Sequence, residues 1–129
     1  MAHPNEEFLR ESYAIFSKGD MQALSEMFAD DIVFHPPGRG PLSVVSRGKE
    51  ELLGYLGKLF ELSGGTFRAE LHDVVANDEH AVGLQTSRGE RGGKTLETHD
   101  VLVAHIENGK FREIWFHSDD SQAGDEFWS

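Results

Sequence analysis

The sequence predicts an α+β domain in which a curved antiparallel sheet from the second half of the chain curls over helices from the first half. Three observations predict it. Apolar residues recur at helical spacing up to Leu62. From Phe67 onward they fall into four strand-like runs, broken at Asn77-Asp78, Gly89 to Gly93 and Asn108-Gly109. Consecutive strands joined by short turns make an antiparallel meander. The third observation is Asn108-Gly109 itself, a strong hairpin signal because both central residues of the favoured two-residue turn need positive φ. At 129 residues the chain fits one domain, residues 1–129, around one core.

The elements follow in order. Pro4 and Asn5 start a helix that Gly19 ends, with Phe8, Leu9, Ser12, Tyr13 and Phe16 on one stripe. Asp20 caps a second helix with the stripe Met21, Leu24, Met27 and Phe28. Ile32 to Phe34 form a short strand, stopped by His35-Pro36-Pro37-Gly38. Residues 38–47 read as a loop. A third helix runs near Lys49 to Leu62, with Leu52, Leu53, Leu56, Leu59 and Phe60 on a wide apolar face, and Ser63-Gly64-Gly65 stops it. The strands are Phe67 to Ala76, His80 to Arg88, Thr95 to Ile106 and Lys110 to Ser118. The closing Asp125-Glu126-Phe127-Trp128-Ser129 puts two aromatics at a terminus, where they dock on the body or on a second subunit.

Composition narrows the function. There are 23 acidic and 12 basic residues, a formal charge of −11. That field repels phosphate backbones and anionic lipid, so neither nucleic acid nor a membrane surface is an expected partner. No cysteine is present, which removes disulfides, thiolate metal sites and thiol catalysis. The polar, acidic start is no signal peptide, and no segment approaches the ~20 apolar residues of a membrane span. A cytoplasmic protein is expected.

The last hairpin collects His99, Asp100, His105, His117, Asp119 and Asp120. On apolar strands such groups line a cavity or its rim. His35, held by Pro36 and Pro37, is a candidate base or donor at a cavity mouth, against the alternative of an exposed loop histidine. Tyr13 can place a phenol in a cavity or simply bond a nearby carbonyl. His99, Asp100 and His117 are metal-ligand types, but His99 and Asp100 are adjacent and so point to opposite faces of a strand, which argues against a metal site. Trp115, His117 and Asp119 share one face of the last strand; Ile114, Phe116 and Ser118 share the other. Both faces are apolar in mid-strand, so alternation leaves open which one meets the cavity, and a bulge would reconcile the two.

Four segments carry a family resemblance: 19-GDMQALSEMFADDIVFHPPG-38, 47-RGKEEL-52, 102-LVAHIENGKFREIWFHSDD-120 and the closing 125-DEFWS-129. Together they resemble the nuclear transport factor two-like superfamily, in its SnoaL-like and ketosteroid isomerase-like branch. The resemblance implies a cone-shaped barrel, a curved antiparallel sheet wrapped over about three N-terminal helices, with one deep pocket and a homodimer formed through the sheet. Ketosteroid isomerases place a base aspartate where His35 stands. Their helix-one tyrosine donor falls at Ser12, one position from Tyr13, and their protonated aspartate donor lies near Asp100 after a gap. The full isomerase set is therefore absent. In SnoaL-type cyclases the acid/base aspartate lies ten residues past the turn glycine, which is Asp119, with a histidine partner at His105 and a tryptophan at Trp115. Epoxide hydrolase-like members need an Arg-x-Asp that Arg91-Gly92-Gly93 lacks.

The reading is an acid/base enzyme of isomerase or cyclase type, moving a proton next to a carbonyl of a small hydrophobic molecule in an apolar pocket. Asp119, His105 and His35 are the expected catalytic residues. Tyr13, Phe60, Asp100, Trp115, Phe116, His117 and Asp120 are expected to contact substrate. No cofactor or metal is required, since enolisation needs only a base and an oxyanion partner. The alternatives are a non-catalytic binding protein for a small hydrophobic ligand and a structural dimer of the same fold.

Overall fold

The computed structural model describes residues 2–129. Four helices and six strands alternate as α1 (Pro4–Ser17), α2 (Met21–Ser25), β1 (Phe28–His35), β2 (Ser46–Arg47), α3 (Lys49–Leu62), β3 (Arg68–Ala76), β4 (His80–Arg91), β5 (Lys94–Glu107), β6 (Lys110–Ser118) and α4 (Ser121–Trp128). The strands form one curved sheet in the order β2-β1-β6-β5-β4-β3. It stays open at both ends, so the expected barrel is a partly wrapped sheet rather than a closed cylinder. The meander β3 to β6 is antiparallel throughout, whereas β1 joins β6 in parallel.

Local chemistry explains most boundaries. Pro4 opens α1 at the position where its missing N–H costs nothing, and the His3 ring accepts from the Asn5 backbone N–H at 3.0 Å. Asp20 caps α2 through the Ala23 N–H at 3.1 Å. The helix stops at Ser25, because Phe28 already pairs with Phe111 as strand. The expected α2 stripe therefore divides between helix and strand. The segment expected as pure loop contributes β2, where Ser46 and Arg47 pair with Phe34 and Val33. The β5–β6 turn adopts positive φ at Asn108 (53°) and Gly109 (74°), the geometry the dipeptide favours.

The end of the chain forms a helix that its aromatics alone do not announce. Asp120 caps α4 through the Ala123 N–H at 3.0 Å. At the other end, Lys94 reaches the Glu126 carbonyl at 2.9 Å and Arg91 the Phe127 carbonyl at 3.1 Å. Cations at a C-terminus complement the helix dipole and the orphan carbonyls. Phe127 is thereby buried beneath β4 and β5, with Leu59, Phe67 and Leu96. The main core gathers Leu9, Ile32, Leu52 and Phe111 between α1, α3 and the inner face of the sheet. No helix among the described residues is long and apolar enough to cross a membrane.

Candidate active site

Strand register builds the polar part of the site. β4 and β5 pair Gln85 with Asp100 and Ser87 with Thr98. Side chains alternate along a strand, so these four share the inner face and each is buried. Tyr13 arrives from α1 and its hydroxyl donates to Gln85 Oε1 at 2.5 Å. Gln85 Nε2 donates to Ser87 Oγ at 2.8 Å, and the Ser87 hydroxyl donates to Asp100 Oδ2. The Thr98 hydroxyl also donates to Oδ2, at 3.3 Å. Every donor in the chain points toward Asp100.

The chain leaves one oxygen out. Asp100 Oδ1 is buried and has no hydrogen-bond partner among the described residues. An orphaned acceptor in a protein interior costs about 1–3 kcal/mol. Oδ1 is thus the acceptor of this carboxyl left free for a further donor.

Beyond this polar cluster the wall is mostly apolar. It bounds a partly open cavity of about 160 Å³ between α1, α3 and the inner face of β4, β5 and β6, lined by Phe34, Leu56, Leu102, Ile114 and Phe116 among others. Tyr55 of α3 also lines it, its ring 5.1 Å from that of Phe34, and its hydroxyl bonds to no described residue. Burial first, and then the nearby Asp100 carboxylate, push the Tyr13 and Tyr55 phenols well above the usual tyrosine range. Both stay protonated donors at any physiological pH. At one end the loop 37–43 meets α4, where Asp125 accepts from the Arg39 N–H at 2.9 Å and Trp128 completes the lining.

The structure divides the residues expected from sequence into two groups. Tyr13, Asp100 and Phe116 line the cavity. Asp119, His105 and His35 do not. His35 ends β1 on the outer face, stacked on Trp115 at 5.7 Å, with Nε2 2.6 Å from Glu113 Oε2. Phe28, Ile32 and Phe34 are the buried, inward residues of that strand. His105 also faces outward, opposite Glu113 and with its ring 5.0 Å from that of His80. Asp119 is exposed and its Oδ1 accepts from the His99 backbone N–H at 2.9 Å. That bond is the first cause holding its carboxyl below the usual range. Asp120 is spent as the cap of α4.

A bulge decides the face of β6. Ile106 pairs with Phe111 and His105 with Glu113, so Arg112 is the extra residue. Beyond it Ile114, Phe116 and Ser118 line the cavity, and Trp115 and His117 turn outward. Phe60 packs against Phe16 and Phe67 beside the second core cluster, outside the cavity wall. Gln85, Ser87, Thr98 and Tyr55 join the site from outside the residues expected from sequence. The available signal was a run of small and polar residues at alternate positions of β4, together with Tyr55 three residues after Leu52 on the helical stripe.

Helices laid over an open curved sheet, with a single buried carboxylate in the cavity between them, define a small pocket-forming α+β protein. Residues 9–114 match the model of the SnoaL-like domain, and the chain belongs to that family. It shares its fold with an NTF2-like protein of Burkholderia xenovorans, at a TM-score of 0.80 and 22% identity, over 95% of this chain and 94% of that one. It is similar to Bal32a from a soil-derived mobile gene cassette, at 35% identity over 97% of this chain and 96% of that one, with a TM-score of 0.94. The uncharacterized protein Rv0034 of Mycobacterium tuberculosis is 27% identical over 95% of both chains. IdmH, a proposed polyketide cyclase of Streptomyces antibioticus, shares the fold at a TM-score of 0.75 and 21% identity, over 92% of this chain and 94% of that one.

Proposed function

We propose that the protein is a cofactor-independent acid/base enzyme of the isomerase or cyclase class, acting on a small hydrophobic carbonyl compound in this cavity. The observation that carries the reading is the unpartnered Oδ1 of Asp100, a carboxyl that lines a mostly apolar cavity. As a base, Asp100 takes a proton from the carbon next to the carbonyl. The C–H electron pair moves into the new C=C bond and the carbonyl oxygen gains charge. The unengaged Tyr55 hydroxyl donates to that oxygen. Returning the proton at another carbon completes an isomerisation; attack of the enolate carbon on a second carbonyl completes a cyclisation. The fold shared with IdmH supports this class.

Solvent deuterium exchange into small cyclic and aryl ketones tests it. Exchange above buffer in the wild type, lost in Asp100→Asn, is the expected result. Equal rates in wild type, Asp100→Asn and buffer would falsify the enzyme reading. Ligand binding without chemistry is the second reading. It is favoured by the placement of His35, His105 and Asp119 outside the cavity, which leaves Asp100 without an ionised partner inside. A second copy of the chain is proposed as partner on the outer face of the sheet, where Val82, Val101, Val103 and Trp115 are only half-buried. A monomer in sedimentation velocity at high protein concentration overturns that.

A further inference from the structure

The cavity contains acid and no base of the cationic kind. Among the described residues that line it there is no lysine, arginine or histidine. Its ionisable groups are the two phenols, Asp100 on the wall and Asp125 at the loop-facing end. The protein around it carries a net charge of −11. A guest brought against Asp100 leaves water and meets an unscreened carboxylate, where like-charge repulsion is several times stronger than in bulk solvent. Size constrains the guest as well. A cavity of about 160 Å³ is near the roughly 150 Å³ that accommodates benzene, and well below the ~300 Å³ and more of pockets for drug-sized molecules.

We infer that the site selects by charge and by size: it takes one-ring molecules that carry no negative charge and rejects their carboxylates and multi-ring analogues. The inference rests on the proposed function only in taking this cavity as the ligand site, and names the substrate class that site admits. Asp100 Oδ1 is the element that discriminates. It accepts a hydrogen from an amide, enol or hydroxyl of the guest, and no cationic side chain lines the cavity to hold a carboxylate.

Benzamide and benzoate test this, because they are nearly equal in shape and differ in charge. Binding is measured by ligand-observed NMR on the wild-type protein at pH 7, with a neutral four-ring steroid ketone as the size probe. Benzamide is expected to bind at least about 100-fold more tightly than benzoate, and the steroid not to compete with it. In Asp100→Asn the gap is expected to shrink to about 10-fold or less. The wild-type comparison stands by itself if that variant folds poorly. Benzoate binding as well as benzamide, or a gap that persists in the folded variant, overturns the charge selection and leaves the proposed chemistry standing. Steroid displacement of benzamide overturns the size limit. Failure of all three probes to bind removes the cavity as a ligand site, and the proposed function with it. Binding is read without turnover, so loss of exchange activity alone leaves this result intact.

Discussion

The Ser87 hydroxyl donates to Asp100 Oδ2 across the β4–β5 pair, while the second oxygen of the same carboxylate is buried with no partner. One oxygen is anchored and the other is free. That asymmetry fixes the orientation of a carboxylate that lines the cavity.

Replacing Asp100 with asparagine keeps the shape and removes the base. Turnover on any substrate found is expected to fall by about 10²–10⁴-fold, the usual range for a lost general base. Stability is expected to change by no more than about 1–3 kcal/mol, because the amide oxygen keeps the Ser87 and Thr98 bonds and the amide nitrogen takes the place of an oxygen that already lacks a partner. Thermal denaturation and exchange kinetics on the same preparation check both. A melting temperature that falls sharply would assign Asp100 a structural role instead.

The two tyrosines of the chain, Tyr13 and Tyr55, both line the cavity. Tyrosinate absorbance therefore reports on this site alone. Their folded values lie above the ordinary tyrosine value of about 10. The stability they contribute is fully present below about pH 10 and is lost as pH rises toward their folded values, at up to about 1.4 kcal/mol per pH unit for each phenol. Tyrosinate should appear only with cooperative unfolding in alkali. Gradual ionisation of either phenol near pH 10 with the fold intact, followed by absorbance and circular dichroism together, would show an open, hydrated cavity.

Asp119→Ala addresses the residue that the sequence singled out. It is expected to leave turnover within about twofold, since the carboxylate faces solvent and holds the His99 N–H. Any stability it contributes has a fixed sign in pH. Its folded value lies below the ordinary carboxylate range, so the contribution is present above pH ~4 and disappears as pH falls through the folded value. Urea denaturation of wild type and variant at neutral and acidic pH, converging at low pH, checks this. A large activity loss in Asp119→Ala with the fold preserved would return catalysis to β6.

Gly38 has φ +82°, and a Cβ there would lie 2.2 Å from Asp125 Oδ1. Gly38→Ala is expected to cost about 1–3 kcal/mol, part backbone strain and part collision with α4. Adding Asp125→Ala should recover only the collision, so a double-mutant cycle should show coupling of about 0.5–2 kcal/mol. Additive losses in denaturant unfolding would mean that the loop and α4 are not in contact in solution.

The fold was legible because its signals are local. Asn108-Gly109 sets its hairpin by its own backbone preferences, and the α3 and β6 boundaries at Lys49, Leu62, Lys110 and Ser118 follow from adjacent glycines and periodicity. β2 escaped detection because two residues have no period. α4 escaped because its cap, Asp120, read equally well as a site residue. The site was less legible. Asp100, Tyr13 and Phe116 were among the residues singled out, but the weight fell on Asp119, His105 and His35.

The reason is a matter of parity. By itself the sequence determined the long helices α1 and α3, the four-strand meander, that the sheet covers the helices, and that imidazoles and carboxylates crowd the last hairpin. Only the tertiary structure decided which of them look inward. One extra residue at Arg112 and the pairing of β1 with β6 set the face that each side chain presents. Alternation along a strand has two solutions of opposite sense, and contacts with distant elements choose between them.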